Sequence, residues 1–207
     1  MIRLVKTPWA IKKWQSSLTW KRNSVNTIYL TFDDGPHPEI TPWVMSQLEK
    51  VNAKATFFCL GENISRYPEV ARDLIKNGHR IGNHTYEHMN GWKTPLELYR
   101  QDVSKANELI GDLDSGKTKL FRPPYGRIGR EQINALKNDF EIVMWSHLSW
   151  DFSLDLNTAR MITKLKKCRP GSILLFHDNR KSFKNLKRIL PEILAFYVDK
   201  GFKFGIL

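Results

Sequence analysis

Short apolar runs alternate along this chain with longer amphipathic stretches. The runs are Thr27–Phe32, Ala55–Leu60, His79–Gly82, Lys119–Arg122, Glu141–Ser146, Ser172–His177 and Phe202–Ile206. Most are continuously apolar, the pattern of strands buried on both faces. The intervening stretches read as helices. Glu39–Val51 carries Trp43, Val44, Leu48 and Val51 at helical spacing. Pro68–Lys76 opens on a proline and stops at Asn77-Gly78, both ordinary helix boundaries. Pro95–Ile110 follows Thr94, a capping residue type, and Ile128–Lys137, Asn157–Cys168 and Phe183–Val198 complete the set. Pro191, inside the last stretch, predicts a kink or a break.

Strands and helices in strict alternation predict an α/β protein: a parallel sheet with crossover helices. Two arrangements satisfy the pattern, a closed or nearly closed barrel and an open doubly wound sheet. Both gather functional residues at the carboxyl ends of the strands. Neither a phosphate-binding glycine fingerprint nor a Walker loop follows the first strand, which argues against nucleotide binding.

Composition narrows this little. The chain has 207 residues, 41% apolar and 26% charged, which suits one soluble globular domain. No run approaches the ~18 apolar residues of a membrane span. The first 26 residues lack the apolar core and cleavage site of a secretory signal, so the expected location is cytoplasmic or peripheral to the cytoplasmic membrane. Cys59 and Cys168 are too few for a disulfide framework and read as small apolar residues.

Charge changes the picture more. A net charge of +12 suggests a nucleic-acid or membrane-surface binder. The excess is local, however. Residues 1–26 hold six basic residues and no acid, and residues 160–190 hold ten basic residues and one acid. Residues 27–159, with 15 basic and 18 acidic, are mildly acidic. No nucleic-acid motif accompanies the charge, so no nucleic-acid partner is expected. Basic residues in the late stretch alternate with apolar ones, as on the solvated faces of outer helices. The N-terminal segment mixes Trp9, Trp14 and Trp20 with Arg3, Lys6, Lys12, Lys13, Lys21 and Arg22. That mixture predicts either packing across the barrel or a weak contact with an anionic membrane surface.

Candidate chemistry sits where the strands end. Asp33-Asp34-Gly35-Pro36-His37 follows the first, Asn83-His84-Thr85-Tyr86-Glu87-His88 the third and Arg122-Pro123-Pro124-Tyr125-Gly126 the fourth. Trp150 and Asp151 follow the fifth, and the sixth ends in His177-Asp178. His84 and His88 are four apart, so one helical turn would aim both rings at a divalent metal. A carboxylate from another strand end would leave coordination positions open, as in catalytic sites. Asp33 and Asp34 are adjacent, so on an extended strand end one can ligate the metal while the other faces a bound water. Arg122 can orient a carboxylate, and His177 can serve as a general acid beside one. Of the other histidines, His37 lies in the first loop within reach of a site, His79 reads as structural, and His147 fits either role. Trp145 and Trp150 read as core and rim, or as an aromatic floor for a sugar ring.

Together these segments resemble the polysaccharide deacetylases, carbohydrate esterase family four, also called the NodB homology domain. The matching segments are Thr31-Phe32-Asp33-Asp34-Gly35-Pro36, His84-Thr85-Tyr86-Glu87-His88, Arg122-Pro123-Pro124-Tyr125 and Leu175-Phe176-His177, in the family's order. They divide the chain into a basic segment, 1–26, and a deacetylase-like region, 27–207. The resemblance implies a distorted, incomplete (β/α) barrel of about seven parallel strands. It implies a metal site of Asp34, His84 and His88 for zinc, with cobalt or manganese as alternatives. It casts Asp33 as general base, His177 as general acid, Arg122 as the partner of Asp33 and Asp151 as the partner of His177. The Tyr125 backbone N–H would bind the oxyanion, and Leu175 would line the acetyl pocket. One segment departs: the family's aspartate-rich motif reads Ser146-His147-Leu148-Ser149-Trp150-Asp151-Phe152 here, with its first aspartate missing and Phe152 in the tryptophan position. The implied reaction is N-deacetylation of an N-acetylglucosamine-type glycan such as a chitin oligomer or peptidoglycan. Its alternatives are O-acetyl ester hydrolysis and a catalytically inactive carbohydrate binder.

Overall fold

A computed structural model describes residues 4–113 and 119–207, with Trp14 described by its backbone alone. Of the N-terminal residues singled out above, Arg3 and the Trp14 side chain therefore lie outside the described residues. The strands are β1 (Thr27–Asp33), β2 (Thr56–Cys59), β3 (Arg80–Asn83), β4 (Leu120–Phe121), β5 (Glu141–Ile142), β6 (His147–Leu148), β7 (Ile173–His177) and β8 (Lys203–Gly205). The helices are α1 (Trp9–Trp14), α2 (Ile40–Glu49), α3 (Gly61–Arg66), α4 (Pro68–Lys76), α5 (Leu96–Leu113), α6 (Arg130–Leu136), α7 (Thr158–Leu165) and α8 (Arg180–Asp199). One sheet runs β5-β4-β3-β2-β1-β7-β6, with β8 added beside β1. All its strand pairs are parallel.

The two ends of this sheet are one stretch of chain. β5 pairs with β4 and β6 pairs with β7, and only Val143–Ser146 separate them. Glu141–Leu148 thus bends across the gap and joins the sheet's edges. Counted once, it gives the expected seven strand positions in a distorted, incomplete barrel. The N-terminal segment adds to the bend through bridges from Thr19 to Val143 and from Lys6 to His147.

β1 shows why the apolar runs are continuous. Ile28, Leu30 and Phe32 belong to the cluster that includes Val44 and Leu48 of α2 and Leu186 and Ile189 of α8. Phe32 stacks on Phe57 and Phe176, its register partners on β2 and β7, at 5.0 and 5.7 Å. Truncating one such ring would cost about 3–5 kcal/mol. By the twofold period of a strand, Thr31 and Asp33 point the other way, into the barrel. There they meet Arg122, which has no exposed surface.

Several expectations are corrected in detail. α8 is continuous through Pro191, because Ile189, Leu190, Ile193 and Leu194 on either side are all buried. That burial outweighs one missing backbone bond. α5 starts at Leu96. α1 and α3 fall in stretches the apolar periodicity left unassigned. Both free cysteines are buried. No helix among the described residues is long and apolar enough to cross a membrane.

Candidate active site

The carboxyl ends of β1, β3, β4, β6 and β7 surround a cavity of about 560 Å³ lined by Asp33, Asp34, His84, His88 and His177, with Trp145 and Trp150 among its walls. The lining also includes Tyr125, Leu175 and Phe152. The structure therefore brings most of the residues singled out in the sequence to one place. Arg122 and Asp151 stand behind it, fully buried.

Asp34, His84 and His88 each present a donor atom, all within 4.8 Å of one another. Asp34 Oδ1 lies 3.5 Å from His84 Nε2 and 3.2 Å from His88 Nε2. It is buried and makes no aligned hydrogen bond. An orphaned carboxylate oxygen facing two imidazole nitrogens fits a divalent metal, and the donor set suits zinc. His84 Nδ1 lies 2.7 Å from the Arg122 carbonyl, so it carries the proton and leaves Nε2 free to ligate. His88 Nδ1 is 3.0 Å from the Tyr125 hydroxyl. Burial works to raise the Asp34 carboxyl, but the facing imidazoles of His84 and His88 and the charge of His177 hold it well below its usual range.

Two geometric expectations change here. His84 and His88 do not share a helical turn; Thr85 and His88 have φ of 67° and 60°. The loop is held instead by Asp102 of α5, whose carboxylate accepts the backbone N–H groups of Tyr86 and Glu87 at 2.8 and 3.2 Å. Nor do Asp33 and Asp34 simply alternate. β1 ends at Asp33, and Asp34 turns at φ 78°, so both carboxylates approach His84, at 3.8 and 3.5 Å. Of six non-glycine residues with positive φ among those described, five are Asp34, Thr85, His88, Tyr125 and Trp150, all at this site. Such backbone strain concentrates where function over-determines geometry. Gly35 is required beside them, since a Cβ there would lie 2.2 Å from Asp178 Oδ2.

Asp33 and His177 are register partners at the ends of β1 and β7, so they stand side by side. Asp33 Oδ1 accepts from Arg122 Nη1 at 2.7 Å, which leaves Oδ2 toward His84 Nε2 at 3.8 Å. The same guanidinium donates to Thr31 Oγ1 and to the Val143 and Met144 carbonyls, so its position is fixed on four sides. His177 Nδ1 lies 2.7 Å from Asp151 Oδ1, and the His177 N–H donates to Asp151 Oδ2. Burial works to lower the His177 pKa, but Asp151, with Asp34 and Asp33, raises it to about 9. Phe152 packs edge-on against the His177 ring at 5.2 Å.

The remaining histidines divide as follows. His79 is buried and accepts the Ala55 N–H, and burial pushes its pKa down to about 4. His147 is buried beside Ser146. His37 lines a second cavity and accepts from Arg180. Reading the sequence missed Asp102, Asn63 and Asn179. Asn63 Nδ2 donates to the Asp34 carbonyl at 2.7 Å. Asn179 is a capping residue type directly after His177-Asp178, a signal that was available.

The class is therefore a parallel (β/α) barrel with an Asp-His-His group at its carboxyl face, flanked by a paired aspartate and a paired histidine. The polysaccharide deacetylase family model matches residues 21–140, and the chain belongs to that family. It is 37% identical over 189 residues to a peptidoglycan-N-acetylglucosamine deacetylase of Bacillus cereus, covering 87% of this chain and 66% of that protein. It is also 37% identical over 157 residues to a chitooligosaccharide deacetylase of Azorhizobium caulinodans, covering 74% of each. A crystal structure of a peptidoglycan N-acetylglucosamine deacetylase in complex with an N-oxidanyl-benzamide superimposes with a TM-score of 0.81 at 33% identity, covering 97% of this chain and 95% of that one.

Proposed function

We propose that this protein hydrolyses the N-acetyl group of N-acetylglucosamine-type units in a glycan such as peptidoglycan or a chitin oligomer. One observation carries the reading: Asp33 and His177, adjacent in register, flank the Asp34–His84–His88 group, and each has a buried partner. The activities named for the relatives support the substrate class.

Asp34, His84 and His88 would hold a divalent metal, zinc in this reading, which supplies an acidified water and polarises the acetyl carbonyl. Asp33 Oδ2 accepts the proton of the attacking water while Arg122 fixes Oδ1. His177, protonated at neutral pH through Asp151, gives its proton to the departing amine. The Tyr125 backbone N–H, presented by a left-handed residue, stabilises the oxyanion. Leu175 walls the acetyl methyl, and Trp145, Trp150 and Phe152 offer apolar faces to the sugar.

The test is acetate release from N-acetylglucosamine oligomers and peptidoglycan, with and without a chelator. Release that stops with chelator and returns with zinc is expected. Asp33→Asn should lower turnover by at least about a hundredfold while zinc stays bound. Acetate release from none of these glycans, or near-normal turnover by Asp33→Asn, would overturn the assignment.

A further inference from the structure

Asp34 uses its two carboxylate oxygens differently. Oδ1 faces His84 and His88 and has no aligned hydrogen bond. Oδ2 accepts from Asn179 Nδ2 at 2.6 Å. Asn179 is also the N-cap of α8, where its Oδ1 accepts the Ser182 N–H at 2.9 Å. The cap fixes which end of the amide is which: with Oδ1 on Ser182, the amino group must face Asp34. The other two donors are similarly anchored, His84 by the Arg122 carbonyl and His88 by the Tyr125 hydroxyl.

We infer that Asn179 is the positioning residue for the carboxylate of the metal site. Its amide occupies Oδ2, commits Oδ1 to the metal and disfavours two-oxygen chelation by Asp34. Its cap ties that orientation to α8, whose inner face is buried in the core. Asn63 on the Asp34 carbonyl holds the backbone, and Asn179 holds the side chain. This inference rests on Asp34, His84 and His88 being metal ligands, and it adds a residue outside that set.

Asn179→Ser and Asn179→Gly separate the two roles. Both residues are accepted at an N-cap, so α8 should keep its start, but neither can reach Asp34 with an amide. Zinc affinity of the metal-free full chain would be measured by competition with a chromophoric chelator. Thermal midpoints would be taken in excess chelator, and visible spectra after cobalt loading. Both variants should bind zinc about 10- to 100-fold more weakly than the wild type, with an altered cobalt spectrum and a metal-free midpoint within a few degrees. Affinity within threefold of the wild type in either folded variant overturns the inference. So does a midpoint drop of ten degrees or more in both, which would make the residue a cap only. A wild-type chain that binds no zinc would instead overturn the metal-site reading itself.

Discussion

The Arg122 guanidinium makes its hydrogen bonds inside the barrel, to Asp33, Thr31 and two carbonyls of the closing stretch. It therefore does two jobs, holding the proposed base and holding the bend at Val143–Met144. Substitution should separate them. Arg122→Gln leaves a buried carboxylate without its cation and frees Oδ1 to turn, so kcat should fall at least about tenfold. Arg122→Lys keeps the charge but lacks the planar fork, so the carbonyls lose their donors, at about 1–3 kcal/mol each. It should melt lower while keeping more of the turnover than Arg122→Gln. Equal losses of turnover in both variants would leave Arg122 a purely structural part. The residue types of this site were legible in the sequence because catalytic chemistry restricts them. The backbone that aims them was not. Nothing in the side chains of Thr85 or Trp150 announces a positive φ, and Asp102 acts from a helix 14 positions after His88.

Among the elements, α8 shows what a pattern reading weighs badly. Proline in a helix interior removes one N–H and crowds the preceding turn, so Pro191 predicts a kink or a break. Yet the apolar stripe runs past it on both sides, and the helix spans Arg180–Asp199. The carbonyl deprived of its donor is that of Lys187, an exposed position where water can serve. Pro191→Ala should thus restore one helical bond without disturbing the stripe and stabilise the protein by about 1–3 kcal/mol in urea unfolding. No gain would mean that α8 and its neighbours have adapted to the proline's bend. Buried strands are plainer in the pattern, since Ile173–Phe176 is apolar on both faces and Ile28, Leu30 and Phe32 make one face of β1 wholly apolar. For the closing stretch the pattern predicts one strand over Glu141–Ser146, whereas β5 stops at Ile142 and β6 lies beyond that run, at His147–Leu148. Its bend serves barrel closure, a long-range demand that local pattern does not carry.

At the scale of the whole molecule, the basic N-terminal segment has two sides. Val5, Leu18 and Trp20 are buried, and Arg22 pairs with Glu141 of β5 at 2.6 Å. Leu4, Trp9 and Ile11 are exposed, so any lipid contact of this segment falls on that outer side. The inner side bonds the bend that closes the barrel. The Thr19 N–H donates to the Ile142 carbonyl, and the Met144 and Leu148 N–H groups donate to the Thr19 and Val5 carbonyls. Without residues 1–26, their partners on the bend would open to solvent, and the burial contributed by Val5, Leu18 and Trp20 would be lost. At about 1.5–3 kcal/mol for each side chain, the loss is comparable with the whole stability of an ordinary domain. The 27–207 fragment should therefore melt far below the intact chain or fail to stay soluble. A shorter cut reads the link to the site. Trp150, a wall of the cavity, donates its indole N–H to the Leu4 carbonyl at 3.0 Å. Deleting residues 1–6 should free that ring and raise KM for a glycan oligomer several-fold with little change in kcat. A 27–207 fragment as stable as the full chain would make the segment an appendage. An unchanged KM in the short deletion would show that Trp150 is held by Phe152 alone, against which it packs at 5.4 Å.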